Sequence, residues 1–157
     1  MKIAYVVYPD FTALDLVGPY EVISRWPGAE IHFLSSASGP VRTDCGLTVL
    51  PTDTPETLTD PDLIVVPGSG HPLPVLEDKV LLDWLAATAP SCQLTASVCT
   101  GASLYAAAGC SRARRPLRIG AFATLSRHTA SRWSPSALSG RAATSARPGF
   151  RPGSIWP

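Results

Sequence analysis

Charge is scarce in this chain and unevenly spread. Only 16% of its 157 residues are charged, and residues 111–157 contain no Asp, no Glu and no Lys. Cysteine is sparse too: Cys45, Cys92, Cys99 and Cys110 form no CxxC pair, which excludes a zinc ribbon, a thioredoxin-type motif and a disulfide scaffold. No apolar run approaches the ~18 residues that a membrane-spanning helix needs, so no membrane partner is expected. The start, Met1-Lys2 running into Ile3-Ala4-Tyr5-Val6-Val7-Tyr8, has too short an apolar stretch for a secretory leader. These absences point to a cytoplasmic protein with free thiols and no metal site. What remains is 45% hydrophobic, which suits a soluble globular domain.

The net charge of +1 conceals a split. Residues 1–110 hold Lys2, Arg25, Arg42 and Lys79 against all 12 acidic residues, a formal charge of −8. Residues 111–157 hold nine Arg and no acid. Such asymmetry marks either a nucleic-acid-binding tail or two segments of different origin.

Hydrophobic patterning divides the first part into alternating strands and helices. Residues 2–8 read as a buried strand and residues 14–23 as a helix, with Pro19 in its first turn. Residues 29–35 read as a second strand, 41–50 as a hairpin and 53–60 as a loop. Leu63-Ile64-Val65-Val66 has the unbroken apolar character of a central parallel strand. A helix follows over 75–89, a strand over 94–98 and an Ala-rich helix over 101–108, closed by Gly109. This alternation implies a parallel sheet covered on both faces, with the site beyond the C-terminal strand ends. Asp15, Gly68-Ser69-Gly70 and Cys99 all fall there.

Ser97-Val98-Cys99-Thr100-Gly101 has the form small–x–nucleophile–x–small. A sharp strand-to-helix turn holds such a nucleophile in a strained backbone, and the small residues at Ser97 and Gly101 let the chains approach. Backbone N–H groups at the helix start favour the thiolate. The alternative is a buried structural cysteine, which is also the reading for Cys45, Cys92 and Cys110. Asp15 is open to two readings, an acid/base group or a helix N-cap. His32 reads as structural, and His71 follows the Gly-rich turn near the site.

Three segments carry a family resemblance. Leu14-Asp15-Leu16-Val17-Gly18-Pro19-Tyr20-Glu21-Val22 resembles the LDLxGPxEV motif of one branch of the ThiJ/PfpI superfamily, which is class I glutamine amidotransferase-like. Val65-Val66-Pro67-Gly68-Ser69-Gly70 resembles its PGG turn, with Ser69 in place of the second glycine. Ser97-Val98-Cys99-Thr100-Gly101, with Leu104 and Ala106-Ala107-Ala108-Gly109, is similar to SVCTGxxxLxxAG. The resemblance covers residues 1–109 and is specific to the branch that includes isonitrile hydratases and the sensing domains of AraC-type regulators. It implies an α/β, flavodoxin-like three-layer sandwich with a nucleophile elbow. It also implies a lyase without cofactor, acting on a small molecule as a homodimer, with no nucleic-acid partner. Carried over to this chain, Cys99 attacks an isonitrile carbon, Asp15 is the acid/base group, and Thr100 adds its hydroxyl. The N–H groups of Ser69 and Thr100, in the turn flanked by Gly68 and Gly70, form an anion hole. The alternatives are a regulator's ligand-sensing domain and an inactive, C-terminally incomplete product.

Residues 110–157 read as a basic, disordered tail outside the family domain. Arg, Ala, Gly and Pro fill 26 of the 47 positions from 111 onward. In related sequences the elbow helix is followed by an LLxG turn and then ATTHW. Codon degeneracy allows this string in a shifted frame. Gly109-Cys110 and Cys110-Ser111 permit Leu-Leu, and Arg112-Ala113 permits Gly. The overlaps from Arg115-Pro116 to Ile119-Gly120 permit Ala-Thr-Thr-His-Trp. The expectation is a frame-shifted tail that leaves one sheet edge unpaired.

Overall fold

The computed structural model describes residues 1–110 and, as backbone, 116–119. Its centre is a five-stranded, all-parallel sheet. Strands β1 (Lys2–Val6), β2 (Glu30–Leu34), β5 (Leu63–Val66), β6 (Leu94–Val98) and β7 (Pro116–Ile119) lie in the order β2-β1-β5-β6-β7. A two-stranded antiparallel ribbon, β3 (Val41–Arg42) with β4 (Thr48–Val49), forms the expected hairpin. Helices α1 (Ala13–Ile23), α2 (Lys79–Thr88) and α3 (Ala102–Ala107) flank the sheet, giving the α/β layering the sequence implies.

Burial follows from pattern. All four residues of β5 are buried, as its unbroken apolar run requires, and Ile3 to Val7 are fully shielded beside it. Tyr5 on β1 meets Phe33 and Tyr20 with ring centroids 5.8 Å away in each case, an aromatic knot between sheet and α1. Its hydroxyl finds no hydrogen-bond partner among the described residues, and burial lifts its pKa to about 12. The outward face of α1 exposes Leu14, Val17 and Val22 alongside Glu21.

Four details depart from the sequence reading. Pro19 lies in the second turn of α1, because Thr12 is the N-cap and the helix starts at Ala13. Without an N–H, Pro19 cannot donate to the carbonyl of Asp15, four residues back. Second, the helix expected over 75–89 is broken. A 3-10 turn spans Pro74–Glu77, and Asp78 then caps α2 by accepting a hydrogen bond from Leu81 N at 3.0 Å. Apolar spacing does not see the break, because Val75 and Leu81 are buried on both sides of it. Third, the elbow helix starts as a 3-10 turn over Cys99–Gly101 before α3. It ends as expected at Gly109, φ 74°, where Cys110 N donates to Tyr105 O and Gly109 N to Ala106 O, a Schellman closure.

The fourth departure is β7. The sequence reading has no strand after 109 and leaves the β6 edge unpaired, yet Pro116–Ile119 pairs parallel with Thr95–Val98. The edge of β6 offers unsatisfied N–H and C=O groups that any extended segment can meet, and a proline at the first position of an edge strand is tolerated. These four residues coincide with the codons that allow Thr-Thr-His in the shifted frame. The rest of the tail, for which the sequence implies disorder, lies outside the described residues.

Candidate active site

The site assembles where β1, β5 and β6 end. Cys99 follows β6 directly and has φ 52°, the left-handed region that a non-glycine residue enters only under constraint. The constraint is visible at Gly101. A methyl group there would lie 2.2 Å from Val66 O and 2.8 Å from Pro67 O, so the start of the elbow helix rests directly on the end of β5. Ser97, buried and in register with Val66, closes the other side of the elbow.

Asp15 reaches the same place from α1. It is not the N-cap; it sits in the first turn, and its Oδ2 accepts a hydrogen bond from Gly68 N at 3.1 Å. Gly68 is the meeting point. A methyl group on it would be 2.8 Å from Asp15 Oδ2, 2.8 Å from Cys99 Cβ and 2.8 Å from Thr100 N. The three groups therefore surround one point, and none is farther from another than twice that distance.

Thr100 and Ser69 are locked together. Ser69 N donates to Thr100 Oγ1 at 2.9 Å, and Thr100 Oγ1 donates to Ser69 O at 2.9 Å. One of the two N–H donors expected for an anion hole, that of Ser69, is therefore engaged by a side chain that sequence spacing could not orient. Ser69 Oγ donates in turn to Asp10 O at 2.8 Å and accepts from His71 N at 3.0 Å. Gly70 is exposed, a methyl group on it would meet nothing within 4 Å, and its φ is not positive. His71 is exposed. His32 lies on β2, where its Nδ1 is 2.9 Å from Asp53 Oδ2.

Two contributors escaped the sequence reading. Tyr8 is buried beneath the site, and its hydroxyl donates to Pro67 O at 2.8 Å. Its pKa is pushed well up, first by burial and then by the negative charges of Asp15 and Cys99. The second is the turn at Asp10, φ 63°, held to the Gly68 turn by Ser69 Oγ, by the Phe11–Ser69 bridge and by Thr12 N donating to Gly68 O at 2.8 Å. A tyrosine ending a β-branched run looks like core; only its hydroxyl's partner reveals the link.

A model of the DJ-1/PfpI family matches residues 1–149. The chain belongs to the DJ-1/PfpI family. It is 34% identical over 115 residues to the isonitrile hydratase of Pseudomonas putida, an alignment covering 73% of this chain and 50% of that protein. A ThiJ/PfpI family protein from Pseudomonas syringae superposes with TM-score 0.66 at 33% identity, covering 69% of this chain and 46% of the other. Drosophila melanogaster DJ-1beta shares the fold at TM-score 0.60 and 17% identity, with 69% and 60% coverage. The chain thus spans about half the length of the curated relative it matches. The family match runs beyond the boundary at 109 drawn from sequence. Among the described residues no helix is long and apolar enough to cross a membrane.

The four thiols differ in setting. Cys92 is buried, with Sγ 3.0 Å from Pro61 O, and burial raises its pKa to about 11. Burial also raises Cys110. Cys45 is exposed on the hairpin tip, and Cys99 is half-exposed at the strained elbow. In rate-resolved iodoacetamide labelling at neutral pH, Cys99 is expected to react first, Cys45 second, and the buried Cys92 only on unfolding. Faster labelling of Cys45 or Cys92 than of Cys99 would remove the elbow cysteine from its assigned role.

Proposed function

We propose that Cys99 is the nucleophile of a hydro-lyase that converts isonitriles to N-substituted formamides. The observation carrying this reading is the convergence of Asp15 Oδ2, Cys99 Cβ and Thr100 N on Gly68, in a chain whose 34%-identical relative is an isonitrile hydratase. The Cys99 sulfur forms an S–C bond at the terminal isonitrile carbon. Asp15 relays the thiol proton to that carbon, giving a thioimidate. Water then adds across the C=N bond, with Asp15 taking a proton from the water and the nitrogen gaining one. The S–C bond breaks, and the thiol and the formamide are released. Strain at Cys99 and the short tether of Asp15 to Gly68 keep both groups in place before substrate arrives. Thr100 and Tyr8 hold the turn, one through both polar groups of Ser69 and the other through Pro67 O.

The test is direct. A panel of alkyl and aryl isonitriles is incubated with the protein, and formamide is followed by mass spectrometry. Formamide should appear, and acid quenching should trap an isonitrile-mass adduct mapping to Cys99. An adduct on another cysteine, or no formamide from folded protein, overturns the proposal.

A further inference from the structure

Three backbone N–H groups lie in the two turns that meet beside Cys99, and the chain has already engaged two of them. Gly68 N–H goes to the Asp15 carboxylate at 3.1 Å, and Ser69 N–H to the Thr100 hydroxyl at 2.9 Å. The third, of Thr100, and Asp15 Oδ2 would each lie 2.8 Å from a methyl group on Gly68. Donors that a cysteine or serine acyl-transfer enzyme keeps vacant beside its nucleophile are therefore taken up here, one of them by a carboxylate.

We propose that Asp15 and Thr100 together close the acyl anion hole beside Cys99, and so select against carboxylic esters, thioesters and amides. The substrates left are neutral electrophiles whose attacked atom is quenched by a proton. This rests on Cys99 being the nucleophile and sharpens the class of substrate it accepts. In attack on an ester, the thiolate pair forms the S–C bond while the C=O π pair moves to oxygen. That oxyanion needs N–H donors, and loss of a single donor typically costs ~10²–10³ in rate. Here two of the donors are occupied, one of them by a carboxylate beside Cys99 that would repel a developing oxyanion. In attack on an isonitrile, the charge develops on carbon, where a proton from Asp15 cancels it. The same carboxylate that obstructs one reaction serves the other.

The side chains that hold the donors are individually removable. Asp15→Ala frees the Gly68 N–H and removes the charge. Asp15→Asn removes the charge but leaves a carbonyl oxygen to accept from Gly68 N–H. Thr100→Ala frees the Ser69 N–H and keeps the charge.

The experiment uses the full chain with p-nitrophenyl acetate. The thiolate attacks the acetyl carbon, the tetrahedral oxyanion collapses, and p-nitrophenolate leaves with its bonding pair, so that an acetyl thioester remains on Cys99. Each variant's acylation rate is divided by its iodoacetamide alkylation rate, a displacement that forms no oxyanion and so reports thiolate supply and folding alone. Asp15→Ala is expected to raise this ratio about 100-fold, the worth of a recovered donor. Asp15→Asn should fall between it and the parent, and Thr100→Ala should rise by a smaller factor. If Asp15→Ala loses its native circular dichroism, Thr100→Ala carries the test in the same direction. A parent ratio already equal to that of Asp15→Ala, or folded variants with no rise, overturns the inference. A rise in the ratio with no formamide from any isonitrile would sustain the closed hole and reject the isonitrile reading instead.

Discussion

Gly101→Ala is expected to destabilise the domain by about 3 kcal/mol or more, at or beyond the upper end for overpacking substitutions. The added carbon would sit 2.2 Å from Val66 O, 2.8 Å from Pro67 O and 3.0 Å from the Pro67 carbonyl carbon. All three are backbone atoms, so no side chain can swing away. Relief requires the start of the elbow to lift from the end of β5, where Val65 and Val66 are fully buried. Gly70→Ala is the matched control: nothing lies near its Cα, and its effect should stay within about 0.5 kcal/mol. Urea unfolding followed by tryptophan fluorescence separates the two. Equal midpoints for Gly101→Ala and the parent would mean that the elbow does not rest on β5.

Gly68→Ala should separate chemistry from stability. Its methyl group would enter the point shared by Asp15 Oδ2, Cys99 Cβ and Thr100 N, each 2.8 Å away. The carboxylate, on a side chain, yields first, and its hydrogen bond from Gly68 N is lost or stretched. Misplacing a reacting group by about 1 Å is worth roughly 10²-fold in rate. Isonitrile turnover should therefore fall at least that far, while the urea midpoint moves less than in Gly101→Ala. Turnover within a few-fold of the parent would show that Asp15 acts from elsewhere or not at all.

The elements read best from sequence are those whose local pattern and tertiary fate agree. Leu63 to Val66 reads as a strand buried on both faces and is one, and the small residues at Ser97 and Gly101 suit the tight turn seen at Cys99. Asp15 and Cys99 both border Gly68, because strand ends of a parallel sheet gather whatever follows them. The functions of Ser69 and Thr100 were not legible. Whether a backbone N–H is free depends on where a hydroxyl rotor points, and Thr100 satisfies both polar groups of Ser69 at once. Tyr8 was hidden for a related reason: its ring belongs to the core and only its oxygen belongs to the site. The break at Asp78 was missed because capping competes with apolar periodicity without disturbing it. Strand β7 was missed because the driving force for it lies in the exposed edge of β6, not in the composition of residues 116–119.

Tyr5, Tyr8 and Tyr105 are three of the four tyrosines. All have pKa values raised chiefly by burial, Tyr5 to about 12 and Tyr105 well above the ordinary value. A phenol that ionises less readily when folded holds its proton while the unfolded chain releases it. The folded state therefore keeps its advantage below about pH 10, the unperturbed tyrosine value, and loses it as pH climbs toward the folded values. Phenolate absorbance near 295 nm from these three rings should consequently appear together, with collapse of the domain. The protein carries its own alkaline indicator, and Tyr8, whose hydroxyl is tied to Pro67 O, changes colour only as the candidate site comes apart.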